Sequence, residues 1–344
     1  MTKRKTRIGI LTAGGDCPGI NAAIRAVGKT AIVEYGMNVV GIINGFSGLI
    51  EKNTMPLHEQ QLSGILTVGG TMLGTSRVKP FKLAEGETYP TKPILIKKHY
   101  EELELDALIC IGGNGTQKTA NLLAQSGMNI IGVPKTIDND IWGTDVTFGF
   151  DTAVFVAAEA IDRLHTTANS HKRVMVIEVM GHKAGWIALY SGIAGGGDVI
   201  LVPEISYDEK LIAECLLERS SKKKPYSIVV VAEGIYKDSK KTAGTYIAHR
   251  IRKMTGLETR ETTLGYIQRG GSPTPADRIL ATGFGAHAVT LAAEKVFGTM
   301  VASRNGIITS VPLSEVGGRL KLIEQGNSLV EKGRQMGVFF GANG

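Results

Sequence analysis

A lysine, a threonine and two aspartates follow an apolar run within six residues of each other. They are Lys135, Thr136, Asp138 and Asp140. Pro134 ends the strand predicted over 128–133, because it has no backbone donor. The loop after a parallel strand faces the crevice in which α/β proteins bind ligands. One carboxylate could act as a base while the other orients it or binds a metal, and the lysine could attract an anionic substrate. An Asx-rich turn that caps the next element explains the same residues.

Two glycine-rich turns follow other predicted strands, over 13–19 and 112–116. Each precedes a predicted helix, which begins at Ile20 in one case and at Gln117 in the other. Strand, turn and helix in this order present backbone N–H groups that can bind phosphate. Neither turn matches a dinucleotide or P-loop pattern, so each could also be a tight turn that needs positive φ. With the loop after Pro134, three turns from one sheet predict a phosphate-lined crevice.

A further glycine-rich segment, 66–77, ends at an arginine. Arg77 could bind phosphate through paired hydrogen bonds, or it could be an ordinary surface residue. Beyond residue 150 a new series of apolar runs predicts strands over 173–180, 199–202 and 227–232. The predicted fold class is therefore α/β, with two Rossmann-like three-layer α/β domains that face one cleft.

Composition limits the partners. The chain has 344 residues, 43% of them apolar, with a net charge of +7 and 6% aromatics. Few aromatics and dispersed basic residues argue against nucleic acid and favour small anionic substrates. No segment has the length of a membrane span, so no membrane partner is expected. Three scattered cysteines fit neither a disulfide framework nor a metal site, which predicts a reducing, cytoplasmic location.

Five motifs in this order resemble the phosphofructokinase family. They are Gly14–Asn21, Gly112–Thr116, Pro134–Asp140, Glu178–Gly181 and Gly265–Pro273. The resemblance implies transfer of the γ-phosphoryl group of ATP to the C1 hydroxyl of fructose 6-phosphate, a step of glycolysis. It also implies a donor-binding domain, 1–150 with about 268–316, and a fructose 6-phosphate domain, 151–267 with about 317–344.

By this resemblance Asp138 takes the proton of the sugar hydroxyl, Asp140 orients it, and Thr136, Arg77 and Lys135 assist the transfer. The implied donor-binding residues are Gly15, Arg77, Val78, Gly113, Asn114, Gly115 and Thr116. The implied substrate residues are Thr136, Asp138, Arg173, Met180, Gly181, His182, Glu233, Arg260, Tyr266 and Arg269. Mg²⁺ would bridge the leaving phosphates, with Asn114 as the candidate ligand. Since Arg173 and Arg260 match positions that serve a neighbouring subunit, a homotetramer with shared active sites is implied.

An alternative function, that of a catalytically silent ligand-binding subunit, is suggested by two departures from the family pattern. Asn114 stands where an aspartate is usual, and a neutral amide binds Mg²⁺ less well than a carboxylate. His182 replaces a usual arginine. The presence of Asp138 and Asp140 argues for an active enzyme.

A second alternative is a pyrophosphate-dependent phosphofructokinase, since Lys135 resembles a lysine of those enzymes. They carry an aspartate at the position of Gly115, where its side chain fills the space of the nucleotide α-phosphate. Gly115 leaves this space open, so ATP is the predicted donor. NAD kinase shares a glycine turn but has no counterpart to 173–181 or 265–273.

Overall fold

The computed structural model describes residues 4–83, 85, 90–236 and 240–342. The chain forms two compact units. The first contains the residues through Thr136 together with 141–149 and 269–320. The second contains 137–140, 150–268 and the residues from Lys321 onward. Each unit is thus built from separated stretches of the chain.

Eleven strands and eleven α-helices are described. The strands are β1 (Arg7–Ala13), β2 (Asn38–Ile42), β3 (Thr54–Leu57), β4 (Ala107–Gly112), β5 (Ile130–Pro134), β6 (Val174–Val179), β7 (Val199–Leu201), β8 (Ser227–Ala232), β9 (Thr259–Thr263), β10 (Thr299–Arg304) and β11 (Ile307–Pro312). The α-helices are α1 (Ile20–Val33), α2 (Gly45–Glu51), α3 (Lys92–Glu102), α4 (Asn114–Gln125), α5 (Phe150–His171), α6 (Trp186–Ala194), α7 (Glu209–Ser221), α8 (Ala243–Thr255), α9 (Pro275–Ala293), α10 (Leu313–Val316) and α11 (Ser328–Gln335). Single 3₁₀ turns span Glu233–Ile235 and Gly265–Gln268.

The first unit is organised around a seven-stranded sheet in the order β11-β10-β5-β4-β1-β2-β3. Its central strands are parallel, and the edge strands β3 and β11 pair antiparallel with their neighbours. All residues of β4 and β5 are buried, as expected for parallel strands covered on both faces. Strand β4 lies between β1 and β5 and is parallel to both. The turns that follow these three strands therefore lie at the same, carboxyl-terminal end of the sheet.

The second unit has a four-stranded, all-parallel sheet in the order β7-β8-β6-β9. Helices α5 and α6 pack against each other and against the sheet. Helices α7 and α8 also pack against each other, and their buried residues share a hydrophobic cluster with those of β6, β7 and β8. The alternation of parallel strands and covering helices in both units confirms the predicted α/β, Rossmann-like fold class.

Two predicted helix boundaries were wrong. Helix α4 begins at Asn114 rather than at residue 117, because its first turn is polar and carries no apolar periodicity. The sequence pattern after residue 150 predicts a helix over 150–164, but helix α5 continues to His171, because its last turns are polar and carry no apolar periodicity. The four residues 137–140 pack with the second unit. A local pattern cannot show which unit such a short stretch contacts.

Candidate active site

The first glycine turn is held by the segment that leads to Arg77. The Gly14 N–H donates to the Ser76 carbonyl at 3.0 Å, and Thr75 Oγ1 donates to the Gly14 carbonyl at 2.7 Å. The exposed Arg77 and the half-buried Val78 therefore follow directly on a segment bonded to this turn. The predicted donor-binding residues Gly15, Arg77 and Val78 come from stretches that the first unit holds together.

The second turn is the first turn of helix α4. Gly113 is its N-cap residue, so Asn114, Gly115 and Thr116 are helical. The N–H groups at a helix start carry partial positive charge, and here the Thr116 N–H donates to the Gly113 carbonyl at 2.9 Å. The buried Thr116 donates through Oγ1 to the Ala13 carbonyl at 3.3 Å, which links this turn to the end of β1. The glycine turn 112–116 therefore leads directly into a helix start, a structure that is suited to anions.

Gly115 lies at an open position. A Cβ atom added there would have no neighbour within 4 Å in the described part of the chain. The residue is exposed, and its backbone is not in the left-handed region. Packing and backbone conformation therefore do not require glycine, and the missing side chain leaves free space beside the start of α4.

Gln117 was missed by sequence reasoning. Its fully buried side chain donates through Nε2 to the Gly112 carbonyl at 2.8 Å and to the Val133 carbonyl at 3.0 Å. One amide therefore joins the ends of the neighbouring strands β4 and β5. A glutamine in the first turn of a predicted helix offers no local signal for this role, because both acceptors are contributed by the sheet.

Lys135 has only 2% of its surface exposed, and its Nζ donates to the Gly15 carbonyl. This hydrogen bond joins the loop after Pro134 to the first glycine turn. The positive charge of Lys135 is therefore buried beside that turn and does not lie at the surface. Its charge also reaches Cys17, where burial raises the pKa of the thiol to about 12 and Lys135 partly opposes that rise. The next residue, Thr136, is buried and accepts a hydrogen bond from Thr147 Oγ1 at its carbonyl, at 2.8 Å.

The two aspartates of this loop lie in the second unit. Asp138 is half-buried, and Asp140 is buried with 6% of its surface exposed. Asn139 stands between them with φ +51°, in the left-handed region that asparagine tolerates better than most residues. The loop therefore turns sharply between the two carboxylates.

Three of the predicted sugar-binding residues, Gly181, His182 and Glu233, are joined by hydrogen bonds in the second unit. Glu233 Oε1 accepts hydrogen bonds from the backbone N–H of Gly181 at 3.2 Å and of His182 at 2.7 Å. Gly181 has φ +144°, and a Cβ there would lie 2.4 Å from the Ala184 carbonyl oxygen, so only glycine fits.

Gln268 was also not predicted. Its Oε1 accepts from the Met180 N–H at 2.8 Å, which ties the end of β6 to the 3₁₀ turn 265–268. Tyr266, in the same turn, exposes 75% of its surface. Its aromatic side chain is therefore available at the surface of the second unit.

Arg173 and Arg260 share one carboxylate. The Nη2 atom of each lies 2.8 Å from Glu258 Oε1. The hydrogen bond from Arg173, followed by the charges of both arginines, lowers the pKa of Glu258 below its usual value. The structure thus brings together the two arginines that were predicted to act together. Arg269 lies instead in the first unit, where its Nη1 donates to the Asp16 carbonyl at 3.2 Å.

The predicted site residues are divided between the two units. Those of the first unit are Gly15, Arg77, Val78, Gly113, Asn114, Gly115, Thr116, Lys135, Thr136 and Arg269. Those of the second are Asp138, Asp140, Arg173, Met180, Gly181, His182, Glu233, Arg260 and Tyr266. Among the residues described, no three His, Cys, Asp or Glu side chains are grouped as a metal would require. No helix in the same part of the chain is both long and apolar enough to cross a membrane.

Comparison with known proteins gives consistent results. The family model described as "Phosphofructokinase" matches residues 7–292. The chain is 63% identical over 335 residues to "ATP-dependent 6-phosphofructokinase 3" of Bacteroides thetaiotaomicron, covering 97% of this chain and 100% of that protein. It is 47% identical to "Pyrophosphate--fructose 6-phosphate 1-phosphotransferase" of Streptomyces coelicolor, covering 97% and 100%.

Among solved structures, that of Pichia pastoris phosphofructokinase in the T-state matches with a TM-score of 0.84 and 32% identity. The match covers 92% of this chain and spans 36% of the Pichia chain. The family model and the relatives match nearly the whole chain, including the three turns and the loops of the second unit. The chain therefore belongs to the phosphofructokinase family.

Proposed function

We propose that this protein is an ATP-dependent 6-phosphofructokinase, which transfers the γ-phosphoryl group of ATP to the C1 hydroxyl of fructose 6-phosphate. The products are ADP and fructose 1,6-bisphosphate, and the reaction is a step of glycolysis. The observation that carries the choice of donor is the open space at Gly115, where an added Cβ meets no atom within 4 Å in the described chain. The relative that is 63% identical is named for the same donor.

Space decides between the donors because ATP has groups that pyrophosphate lacks. An α-phosphate, a ribose and a base must fit beyond the β-phosphate. A side chain at residue 115 would project into the room beside the start of α4, and a carboxylate there would also repel the α-phosphate. Two like charges about 4 Å apart repel by ~4 kcal/mol at an effective dielectric of about 20. Glycine imposes neither the bulk nor the charge.

The first-unit residues suit the binding of phosphate groups. The N–H groups of Asn114 and Gly115 lie at the start of α4, where a helix favours negative charge, and the Thr116 N–H next to them donates to the Gly113 carbonyl. The exposed Arg77 can pair with phosphate oxygens, and the buried Lys135 adds positive charge behind the first turn. Phosphoryl transfer proceeds through a charge-spread transition state, so positioning and electrostatic stabilisation supply most of the catalysis.

In the second unit, Asp138 takes the proton from the C1 hydroxyl as the phosphoryl group arrives, and Asp140 orients it. Glu233 uses Oε1 for the backbone of residues 181 and 182, so its other oxygen is the one that accepts from a sugar hydroxyl. Met180, Gly181, His182 and Tyr266 line the sugar. Thr136 contacts the transferred group.

The sugar phosphate is an anion that charged arginines can bind in paired hydrogen bonds. Arg269 is one of them, and Arg173 with Arg260 form the shared pair on Glu258. We propose that this pair serves the active site of a neighbouring chain in a homotetramer. Half of the side chain of Arg260 is exposed, which leaves it available to a partner.

Mg²⁺ fits the residues that are present. The described part of the chain has no group of three ligating side chains, and Mg²⁺ commonly uses one or two protein oxygens together with phosphates and waters. Asn114 would supply one of those oxygens. When bound, the ion would neutralise charge on the leaving phosphates.

A cytoplasmic location is part of the proposal. Cys17, Cys110 and Cys215 are all free, and the first two are buried. Free thiols suit a reducing compartment, and the proposed substrates are metabolites of that compartment.

Pyrophosphate is the second candidate donor, since Lys135 suits a compact anion and a relative of 47% identity is named for pyrophosphate. The test is a donor assay on the purified protein with fructose 6-phosphate and either ATP–Mg²⁺ or pyrophosphate–Mg²⁺. Faster turnover with ATP is expected. Faster turnover with pyrophosphate would reverse the choice, and binding of fructose 6-phosphate without turnover of either donor would indicate a silent ligand-binding subunit.

A further inference from the structure

Lys321 contacts the loop of the two aspartates at two points. Its backbone N–H donates to the Asp140 carbonyl at 2.9 Å, and its Nζ donates to Asn139 Oδ1 at 2.9 Å. All three residues belong to the second unit. Lys321 thus forms hydrogen bonds with two consecutive residues of the loop, although it lies 182 residues after Asn139 in the chain.

Asn139 is the residue at which this contact has the greatest effect. It is buried, with 4% of its surface exposed, and its φ of +51° is left-handed. Such a conformation is strained for most residues and persists when the surroundings hold it in place. Because it lies between Asp138 and Asp140, its conformation sets the backbone path of both. The hydrogen bond from Lys321 stabilises the amide side chain of this turning residue.

Lys321 is itself held in place. Its carbonyl accepts a hydrogen bond from Trp186 Nε1 at 2.9 Å, and its Nζ lies 5.6 Å from the centre of the Trp186 ring. A cation at this distance from an indole face is attracted to it. Two residues later, the Ile323 N–H donates to Glu204 Oε1 at 3.1 Å, and this carboxylate also accepts from the Gly185 N–H. Trp186, at the start of α6, therefore contacts Lys321 directly, and Glu204 joins the following segment to Gly185, the N-cap residue of α6.

We propose that Lys321 is a positioning residue for the proton-accepting loop. Held by Trp186, it fixes Asn139 and Asp140 so that Asp138 is presented to the substrate hydroxyl in one orientation. The role rests on the proposed function, in which Asp138 is the base. Lys321 acts through Asn139 and does not contact the substrate.

Substitution can separate the side-chain hydrogen bond of Lys321 to Asn139 from its backbone hydrogen bond to Asp140. Lys321→Met keeps the backbone bond to Asp140 and a flexible apolar stem beside Trp186, and it removes only the ammonium group. Asn139→Gly removes the acceptor from the other side, while glycine adopts positive φ without strain. Lys321→Arg retains a cation that can donate to an amide and stack on an indole. Lys210→Met, at an exposed lysine of the same unit, is the matched control.

The kinetic test compares these variants and the double variant Lys321→Met/Asn139→Gly. Lys321→Met and Asn139→Gly are each expected to lower kcat by ~10–100-fold. A displacement of a catalytic group by about 1 Å can lower the rate by about 10²-fold. The KM for fructose 6-phosphate should stay within about twofold. The double variant should be no worse than the poorer single variant, and Lys321→Arg should recover most of the loss. Multiplying effects in the double variant, or an unchanged kcat in Lys321→Met, would overturn the proposal.

A second measurement does not depend on the reaction. Hydrogen exchange of the peptide that covers 137–141, without substrate, should be faster in Lys321→Met and Asn139→Gly and unchanged in Lys210→Met. Unchanged exchange in both loop variants would show that Lys321 does not order the loop. If the unmodified protein fails to phosphorylate fructose 6-phosphate, the proposed function fails, while exchange still decides whether Lys321 positions the loop.

Discussion

The Arg269 guanidinium occupies the space that a side chain at residue 15 would need. Its Nη1 lies 2.8 Å from the position of an ideal Cβ on Gly15, and the same atom donates to the Asp16 carbonyl at 3.2 Å. Both residues belong to the first unit. A turn expected to bind the donor and an arginine expected to bind the sugar phosphate are therefore packed against each other.

Gly15→Ala is predicted to displace Arg269 without unfolding the protein. The new methyl group meets the far end of a flexible side chain, which can move. The thermal midpoint should fall by no more than a few degrees, while the KM for fructose 6-phosphate should rise about tenfold, the equivalent of one weakened charge-assisted hydrogen bond. Gly115→Ala is the control, since it should leave this KM unchanged. A Gly15→Ala enzyme with normal affinity for fructose 6-phosphate would separate Arg269 from the sugar phosphate.

Gly115→Asp is predicted to depress ATP-driven turnover sharply. The carboxylate would fill the open space and place a charge against the α-phosphate, a repulsion on the order of 4 kcal/mol. Binding of fructose 6-phosphate, measured by calorimetry, should be intact. Equal rates with ATP in the variant and the unmodified protein would disprove the steric account of donor choice.

Gly115→Ala distinguishes a functional glycine from a structural one. The position is helical and its surroundings are open, so alanine should stabilise the free protein by roughly 0.5–1 kcal/mol. The KM for ATP should rise nevertheless, because the methyl group projects into the donor space. Denaturant unfolding and ATP kinetics on the same preparation give both quantities. A destabilised variant would show that packing, and not the donor, requires the glycine.

Asp138→Asn is predicted to lower kcat by several orders of magnitude with modest change in substrate affinity. Asparagine has similar volume but cannot accept the proton, and removal of a general base typically costs ~10²–10⁴-fold. Steady-state kinetics with ATP–Mg²⁺ and fructose 6-phosphate measure the effect. Retention of most of the kcat would assign the base to another residue.

Mixed assemblies test whether chains share active sites. Chains carrying Arg260→Ala and chains carrying Asp138→Asn should each be nearly inactive. After subunit exchange, some sites would combine an intact Asp138 from one chain with an intact Arg260 from another, so activity should reappear. Mass measurement of the mixture controls for exchange. Absence of activity in proven hybrids would argue against shared sites.

The Glu258 carboxylate is predicted to make the stability of the folded protein fall more steeply as the pH is lowered. Its pKa is lowered in the folded protein, first by the hydrogen bond from Arg173. The associated stability is therefore present above the unfolded pKa, about 4.3, and is lost as the pH falls through the lower folded value. The thermal midpoint of the unmodified protein should fall more steeply between about pH 5 and pH 3 than that of Glu258→Gln. The difference should be small, since 48% of the Glu258 side chain is exposed to solvent.

Apolar runs and glycine turns determined the α/β fold class from the sequence alone. Buried parallel strands such as β4 and β5 need uninterrupted apolar residues. Each is followed by a turn, and turn residues can be recognised from the local sequence. The resemblance of five motifs then identified the family, which the family model and the relatives confirmed.

Only the tertiary structure decided which distant groups meet. Lys135 donates to the Gly15 carbonyl, Arg269 lies against Gly15, and Lys321 bonds to Asn139. The short stretch 137–140 likewise belongs to the second unit because of its contacts, not its composition. Propensity and periodicity act over a few neighbouring residues, whereas these contacts join segments separated by more than a hundred positions. Their partners are set by how the sheets and helices pack, and no local pattern records that packing.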